Sequence, residues 1–434
     1  MTLKNNGIFI FFVILFSLAV AVVVPFYPIQ VPLAVIGMGV LALLWIYPKI
    51  LVGITVIFMP FSFIPYELGI AIDSTIILFA LIILATVRLS LLAAKPSKIE
   101  IFLSIFLVWV IISSVINQSE LMFVFKEVVK VLSAVLVFRL AKTKKYKIVP
   151  KNYLYGAFIV VGIISIYQKL VGFNFLQSLG YVYPTFNYAT IEGDYRPFGT
   201  FYSPTVLGCF IGLVGTYLLF DLFKNQSTKM ITKLAFTGLF FGVLVLTETR
   251  AAWISVAIVL LLQLRIQFQI KVKYLLLAWI AVIVLFIFVV LGDFGAITER
   301  FMTLFNSDFN SNSERVYFWK ATIMAVTSSF VAGFGSQDFA STISPYLPPQ
   351  VPRLGHPHNT YLQILYTYGY VGFSIYVLFF IALLRTTFKN NRIAFWSLSV
   401  FAIHTFFEQV WFSFSVVILM FFISGITSKD IKGR

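Results

Sequence analysis

Apolar runs long enough, or nearly long enough, to cross a membrane alternate with short polar segments along the chain. An untilted transmembrane helix needs about 20 predominantly apolar residues, and several of the runs are somewhat shorter. The predicted spans are 7–24, 31–47, 50–65, 70–88, 101–117, 121–141, 152–171, 203–223, 232–248, 250–265, 271–292, 360–385, 393–408 and 409–427. The pattern therefore predicts an all-α polytopic membrane protein with about 12–14 transmembrane helices, in a single integral membrane domain covering residues 1–434.

The run at 121–141 leaves two interpretations open, because it contains Lys126, Glu127 and Lys130. It either crosses the membrane or lies at the interface as an amphipathic helix. The choice matters, since losing this span would reverse the orientation of every segment that follows.

The longest non-apolar segment, residues 293–359, is predicted to contain its own helix. Ser311 and Glu314 fit a capping box, in which the serine caps the helix and the glutamate reaches back. The apolar positions that follow at helical spacing are Val316, Trp319, Ile323 and Val326. We expect this helix to lie against the membrane surface or the top of the bundle, and to end before Gly333-Phe334-Gly335.

The composition excludes a soluble protein. Hydrophobic residues make up 60% of the chain and charged residues 11%, against about 45–50% and about 25% in soluble proteins. The formal net charge of +16 would suggest nucleic acid binding in a soluble protein. Here the basic residues stand mostly in short loops between apolar runs, which indicates the positive-inside pattern and no nucleic acid partner. The single cysteine, Cys209, excludes an intramolecular disulfide.

The loop charges agree on one orientation. With the spans above, the basic loops that follow 70–88, 121–141, 203–223, 250–265, 360–385 and 409–427 all fall on the side of the N-terminus. By the positive-inside rule this side is cytoplasmic. Two outer loops, 172–202 and 293–359, are then predicted to face the outside.

The predicted outer side carries the residues suited to chemistry. Its arginines and histidines are Arg196, Arg250, Arg300, Arg315, Arg353, His356, His358 and His404. Arginine is suited to bidentate phosphate contact, and histidine to proton transfer near neutral pH. Together they suggest a site for a phosphate-bearing lipid on the side of the outer leaflet.

Each arginine also has a plainer interpretation. Arg250 begins a span, where arginine often extends to the interface. Arg196 is close in sequence to Asp194 and pairs with it in the plainer interpretation. Arg315 follows Glu314 on a predicted surface helix, so solvent exposure is the default expectation.

The histidines have plainer interpretations as well. His356 and His358 flank a proline and lack the one-face spacing of a metalloprotease helix. A two-histidine metal site would need carboxylate partners, and none is obvious from the sequence. His404 and Glu408 are four residues apart on a predicted helix and can hydrogen-bond each other.

Four short segments occur in order within residues 190–385. They are Arg-Pro-Phe-Gly-Thr-Phe-Tyr-Ser-Pro at 196–204; Leu-Thr-Glu-Thr-Arg-Ala-Ala-Trp at 246–253; the set formed by Glu-Arg-Phe at 299–301, Ser-Glu-Arg at 313–315 and Gly-Phe-Gly at 333–335; and His-Pro-His-Asn-Thr-Tyr-Leu-Gln at 356–363 with Gly-Tyr-Val-Gly at 369–372. They resemble the signature blocks of the O-antigen ligase and polymerase superfamily, the bacterial glycan ligases and Wzy-type polymerases. Two departures are Thr205, where the family often has Asn, and Thr249, which replaces Ser.

The resemblance implies a GT-C-like helical bundle in the bacterial inner (cytoplasmic) membrane, with a long outer loop carrying short helices over the active site. It implies a metal-independent, inverting glycosyltransferase without a cofactor. The donor would be a glycan on undecaprenyl diphosphate, and the acceptor a polysaccharide or a lipid-anchored glycan. The core of the resemblance is 190–385.

The residue roles follow from this resemblance. His358 is the expected general base for the acceptor hydroxyl. Arg250 and Arg315 are expected to stabilise the leaving diphosphate, and Arg196 to hold it. The further substrate-binding residues are His356, Asn359 and Arg300. Other candidate bases are His356, His404 and Glu248.

Several functions remain open at this point. A ligase moves a finished chain to an anchor, whereas a polymerase joins repeat units, and a polymerase or general exopolysaccharide role is slightly favoured. A lipid-linked glycan transporter or flippase is the alternative from another class. It would place ionisable residues along a path inside the membrane, whereas these spans are nearly free of charge. A scaffold protein would not need the outer arginines and histidines.

Overall fold

The computed structural model describes residues 43–61, 66–67, 71–72, 74–92, 95–143, 149–174, 190–191, 194–268, 310–349, 351 and 355–426. The α-helices are α1 (Pro48–Phe58), α2 (Ser74–Arg88), α3 (Lys98–Ile116), α4 (Leu121–Ala141), α5 (Lys151–Val171), α6 (Pro204–Lys224), α7 (Met230–Leu246), α8 (Arg250–Phe268), α9 (Asn310–Val326), α10 (Phe339–Ile343), α11 (Thr360–Asn390), α12 (Arg392–Phe407) and α13 (Phe414–Gly425). Short 3₁₀ turns follow at Thr327–Ser329 and Ser344–Tyr346. The chain divides into two compact units, Met1–Val52 and Gly53–Arg434, and every element from α2 onward belongs to the second.

The β-structure consists of two antiparallel ladders with two residues in each strand. Strand β1 (Tyr66–Glu67) pairs with β2 (Ala71–Ile72), with Tyr66 opposite Ile72. Strand β3 (Thr190–Ile191) pairs with β4 (Asp194–Tyr195), with Thr190 opposite Tyr195. Such ladders only close short loops, so the fold is the predicted all-α one.

Among the described residues, four helices are long and apolar enough to cross a membrane, namely α3, α5, α6 and α11. The shorter apolar helices α7, α12 and α13 pack with them, and α2 packs with α4. This confirms a polytopic membrane protein. The predicted spans 7–24 and 271–292, and most of 31–47, lie outside the described residues, so the total of 12–14 spans stays a prediction.

Three predicted spans are too long. Within the run 70–88, Ala71–Ile72 is strand β2 and the helix begins only at Ser74. The run 50–65 ends as a helix at Phe58, because Pro60 disfavours helical geometry at the residue before it. The run 409–427 becomes helical only at Phe414, since Val410 donates its backbone N–H to the Thr360 hydroxyl at 3.0 Å and turns the chain.

Helix α4, the ambiguous run at 121–141, is a bundle helix. It runs antiparallel to α3, because Arg139 near its end pairs with Glu100 near the start of α3. Its charged residues are neutralised inside the bundle: Lys130 Nζ lies 2.5 Å from Glu127 Oε1, and the Tyr368 hydroxyl donates to Glu127 Oε2 at 2.6 Å. This packing favours the spanning interpretation, and the position of α4 relative to the membrane stays a prediction.

Helix α6 lies at the centre of the bundle, and 83% of the residues in its apolar stretch are buried. A π-helical turn at Ile211–Gly215 interrupts it. The hydroxyl of Ser397 on α12 donates to the carbonyl oxygen of Leu213 within this turn at 2.6 Å. The contact fixes α12 against the core helix.

Helix α11 is broken at Gly369, whose φ of 66° is in the left-handed region. The break leaves carbonyl oxygens without helical partners, and other groups satisfy them. Tyr366 O accepts from the backbone N–H of Phe334 at 2.8 Å, and Thr367 O from that of Gly335 at 2.9 Å. A Cβ added at Gly369 would stand only 2.3 Å from the carbonyl oxygen of Val331, two residues before the Gly-Phe-Gly motif. The Gly-Phe-Gly motif therefore anchors the connection between α9 and α11 to the broken helix.

Helix α9 is present as predicted, but only part of its predicted apolar face is buried. Val316 and Ile323 are 47% and 46% exposed, whereas Val326 is fully buried. The buried face consists of Phe318, Ala321, Thr322, Ala325 and Val326. The large Phe318 side chain sets the rotation of the helix, and the small residues allow close approach to α11. The helix also begins at Asn310, upstream of the predicted cap at Ser311.

The bundle has two chemically different ends. Helices α6, α8 and α11 start, and α5, α7 and α12 finish, at what we call the site end. At the opposite end, called the basic end, Lys151 pairs with Asp221 at 2.9 Å and Arg139 pairs with Glu100.

Candidate active site

The histidine segment is held in place immediately before α11. Asn359 caps this helix, and its side chain accepts the backbone N–H of Leu362 at 3.0 Å. The indole N–H of Trp319 on α9 donates to the carbonyl oxygen of Pro357 at 2.9 Å. Between these contacts His358 has a φ of 49°, which is uncommon for a residue with a side chain. The surrounding contacts thus impose the backbone conformation that presents His358.

Glu408 joins three elements at the site end. Its Oε2 lies 3.2 Å from His358 Nδ1, and its Oε1 accepts from Arg315 Nη2 at 2.7 Å. The carbonyl oxygen of Glu408 accepts from the Thr360 hydroxyl at 2.8 Å. Because Glu408 is the residue after α12, these bonds connect the end of α12 with α9 and the start of α11.

The environment keeps Glu408 ionised. Burial alone would raise the pKa of its carboxyl group, but the hydrogen bond from His358 and the charge of Arg315 outweigh burial and lower that pKa to about 2. A carboxylate only accepts hydrogen bonds, so the Nδ1 of His358 carries the proton in this contact. The Nε2 of the neutral ring is then the atom that can accept a proton.

His356 is close to His358 but chemically different. The two ring centroids are 4.2 Å apart, and His356 Nδ1 accepts the backbone N–H of His358 at 3.3 Å. Burial lowers the pKa of His356 to about 4, with the charges of His358 and Arg315 contributing and that of Glu408 opposing. His356 is therefore neutral at neutral pH and a weaker base than an ordinary histidine.

The expected side-chain hydrogen bond between His404 and Glu408 is absent, and only the backbone N–H of Glu408 donates to the carbonyl oxygen of His404, at 3.1 Å. The backbone at Glu408 is extended, with φ −144° and ψ 153°, so the helix ends there. The Glu408 carboxylate faces Arg315 and His358 instead. Both ring nitrogens of His404 are buried without a hydrogen-bond partner among the described residues.

A second carboxylate cluster at the site end surrounds Glu248. Lys169 Nζ lies 3.2 Å from Glu248 Oε1, and Arg196 Nε lies 3.4 Å from Glu248 Oε2. Arg196 Nη2 also donates to the carbonyl oxygens of Thr247 and Glu248 at 3.2 and 3.3 Å. The observed partner of Arg196 is thus Glu248. The side chain of Asp194, the partner considered from the sequence, lies outside the described set.

The turn that carries Arg196 is fixed by Gln168, near the end of α5. Gln168 Oε1 accepts the backbone N–H groups of Phe198 and Gly199 at 3.0 and 2.7 Å, and its Nε2 donates to Gly199 O at 2.9 Å. Gly199 has a φ of 60°, which the turn requires. The Arg-Pro-x-Gly block is therefore a rigid turn beside the Glu248 cluster.

Two links place the clusters at the same end of the bundle. The Thr249 hydroxyl donates to Pro204 O at 3.1 Å, which ties the start of α8 to that of α6. Tyr202, just before α6, is close enough to Glu408 to feel its charge: burial mainly raises the pKa of Tyr202, and the Glu408 charge adds to it. Arg250 begins α8 and is half-buried. Arg300 lies outside the described residues.

The sequence misses two residues of these clusters. Glu408 was considered only as a partner of His404, although a lone acid between apolar runs was a usable signal. Lys169 resembles an ordinary basic residue near a helix end, and only the fold brings it to Glu248. The structure also supplies the carboxylate that the histidines lacked, but no group of three or more His, Cys, Asp or Glu side chains among the described residues is arranged to hold a metal.

The fold and these contacts define a polytopic membrane protein with a histidine–carboxylate pair and arginines at one end of its bundle. Residues 235–377 match the model of a family described as O-antigen ligase. The resemblance to the O-antigen ligase superfamily is therefore confirmed over these residues. The match includes Arg250, Arg315 and the His356–Asn359 segment, and it leaves out Arg196 and Glu408. A search of curated proteins finds no match.

Proposed function

We propose that this protein transfers a glycan from undecaprenyl diphosphate to a sugar hydroxyl on the outer face of a bacterial cytoplasmic membrane. The observation that carries the proposal is the contact between His358 Nδ1 and the Glu408 carboxylate, with Arg315 on the other carboxylate oxygen. The family match supports the class of reaction. The cations of the Glu248 cluster support an anionic donor.

The proposed chemistry is a single displacement with inversion. The acceptor oxygen forms a bond to the anomeric carbon of the donor while the bond from that carbon to the phosphate oxygen breaks. The proton of the acceptor hydroxyl passes to His358 Nε2, and the bonding electrons leave with undecaprenyl diphosphate. Glu408 is a positioning residue: it orients the imidazole and stabilises the imidazolium that forms.

The arginines are proposed to stabilise the charge on the leaving diphosphate. Arg315 Nη2 is engaged by Glu408, but its buried Nε has no hydrogen-bond partner among the described residues. This nitrogen is a donor available for an anionic oxygen. Arg196, Arg250 and Arg300 complete the proposed set, with His356 and Asn359 beside the reacting groups. No metal or cofactor takes part in the proposed reaction.

The test is product analysis with the purified full chain. The protein is incubated in EDTA with a polyprenyl-diphosphate-linked oligosaccharide and an acceptor glycan, and products are measured by mass spectrometry. We expect a new glycosidic bond and one released polyprenyl diphosphate per transfer. Movement of intact donor across a vesicle without cleavage would support the flippase alternative instead. A strict requirement for Mg²⁺ or Mn²⁺ after chelation would contradict the metal-free reaction.

Gene deletion separates the two glycan-transfer roles. A polymerase defect leaves single repeat units on the final anchor, whereas a ligase defect leaves long chains that are not attached to it. We favour the polymerase or exopolysaccharide role, so the expected product of the deletion strain is a single-repeat glycan. Long unattached chains would assign the ligase role.

A further inference from the structure

The basic end of the bundle contains a cavity of about 260 Å³ between the ends of four helices. It lies where α3 begins and where α4, α11 and α13 finish, and its lining includes Lys98, Lys142, Thr386, Asn390 and Ser424. Pockets for drug-sized ligands have about 300–1,000 Å³. The cavity is therefore sized for a small group, and it is far from the site end.

The charge around this cavity is positive. Among the described residues here, Lys98, Arg139 and Lys142 stand against one carboxylate, Glu100. Arg139 is fully occupied, because it pairs with Glu100 and donates through Nη1 to the carbonyl oxygens of Leu91 and Leu92 at 2.9 Å each. The two lysines are left to interact with a ligand, since neither forms a salt bridge with a described residue.

Lys142 is a cation without an anionic partner in a partly buried place. Its Nζ lies 3.7 Å from the ring centroid of Phe138. Burial lowers the pKa of Lys142, the charge of Arg139 lowers it further, and Glu100 only partly opposes this. Bringing an anion to the cavity would relieve both the desolvation and the repulsion.

The polar groups lining the cavity also favour an anion. Thr386, Thr387 and Ser424 already donate their hydroxyl protons to carbonyl oxygens of their own helices, at 2.6 to 3.0 Å. The donors that remain include the two lysine ammonium groups, the side-chain amide of the exposed Asn390 and the Ser97 hydroxyl, which only accepts in its bond from Glu100 N–H. Cationic donors in a mostly apolar cavity suit a phosphate group better than a neutral sugar.

An apolar stripe leads away from the cavity along α3. It starts at Lys98 and continues through Ile101, Ile105, Val108 and Ile112, which are 43% to 56% exposed. The spacing of three to four residues places them on one face of the helix. A molecule with a charged group at Lys98 and hydrocarbon chains along this stripe matches both features.

We propose that this cavity binds the headgroup phosphate of an anionic membrane phospholipid, with its acyl chains along the exposed face of α3. Basic pockets between helices at the cytoplasmic side of membrane proteins are suited to such headgroups. The stripe favours a lipid over free phosphate, and the two lysines favour an anionic lipid over a zwitterionic one. Binding here is independent of the proposed glycan transfer.

The test measures the midpoint of thermal unfolding of the full chain in detergent. Short-chain phosphatidylglycerol, short-chain phosphatidylcholine and inorganic phosphate are titrated separately, because a ligand that binds the folded state raises the midpoint. We expect phosphatidylglycerol to raise the midpoint most. Lys98→Gln with Lys142→Gln should weaken the apparent affinity about 30-fold. The matched control, Lys224→Gln with Lys229→Gln, removes two exposed lysines at the same end and should leave the affinity unchanged.

Three results would overturn the proposal. They are equal stabilisation by phosphatidylcholine, equal stabilisation by inorganic phosphate at the same concentration, and wild-type affinity in the double variant. If the double variant does not fold, the phosphatidylglycerol affinity of the single variant Lys98→Gln, at an exposed position, tests the proposal. It should weaken phosphatidylglycerol binding about fivefold, and an unchanged affinity would contradict the site.

Discussion

Glu408 and Glu248 are both largely buried carboxylates at the site end, and each contacts two basic side chains. The partners differ in kind. Glu408 contacts one arginine and one histidine, whereas Glu248 contacts one lysine and one arginine. A histidine exchanges its proton near neutral pH, but lysine and arginine keep their charge there. The same acidic residue type therefore prepares one cluster for proton transfer and the other for holding an anion.

The two clusters also differ in how they are built. The Glu408 cluster joins α9, α11 and α12, and it depends on the left-handed backbone of His358. The Glu248 cluster joins the ends of α5 and α7 through the turn at 196–200. Glu248 is itself left-handed, with a φ of 49°. Both clusters hold strained backbone beside a charged group, and such strain is concentrated at functional sites.

The largest expected effect is at the proton acceptor. His358→Ala removes the only histidine that contacts Glu408, and general base catalysis contributes about 10²–10⁴-fold. We expect turnover to fall by about that factor while donor binding is largely kept. Initial rates at matched membrane levels measure it, with His356→Ala as the milder control. Equal rates for His358→Ala and wild type would leave His356, His404 or Glu248 as the base.

The next effect is at the positioning carboxylate. Glu408→Gln keeps the shape of the side chain but removes the charge that orients the His358 ring. Carboxylates that orient metal-bound histidines contribute about 10–100-fold, and by analogy we expect a loss of at least that size in kcat with little change in KM. Glu248→Gln is the matched variant, and it should act mainly on the KM for the donor. The same kcat loss in both variants would remove the distinction between the clusters.

A smaller loss of activity is expected for a conservative change at Arg250, which follows Glu248 by two residues in the sequence. Arg250→Lys keeps the charge but loses the planar fork that contacts two phosphate oxygens, so we expect a loss of about tenfold in kcat/KM. Lys229→Ala, an exposed lysine at the basic end, should have little effect. Wild-type activity of normally expressed Arg250→Lys would show that Arg250 does not hold the diphosphate.

The sequence predicts the helices well because lipid exposure demands long apolar runs. The run 121–141 coincides with α4, and 152–171 with α5 to within one residue. The sequence predicts poorly which face of α9 is buried, because apolar residues on this helix are exposed as well as buried. Val316 is 47% exposed and Phe318 is fully buried, and the choice depends on the packing surface of α11.

The site can be predicted only in part from the sequence, because some of its contacts also depend on how helices pack. His358 and Asn359 stand in one motif, and the short spacing reveals them. Glu408 is 50 residues away from His358 and becomes its partner through the packing of α12 against α11. Lys169 is likewise 79 residues from Glu248. Long-range pairs of charged residues leave no local pattern, so their discovery requires the fold.

The final prediction concerns the side of the membrane that both clusters face. It uses single cysteine variants at exposed positions, and these should not change activity. Gln337 is exposed next to the segment that α11 anchors, and Ser227 is exposed at the basic end. The native Cys209 is only 1% exposed, so it should add little background. Because the loop charges predict that the basic end faces the cytoplasm, Gln337→Cys should react with a membrane-impermeant maleimide in intact or outer-membrane-permeabilised cells. Ser227→Cys should react only after lysis. The reverse result would place both clusters in the cytoplasm, where a donor presented on the outer leaflet cannot reach them.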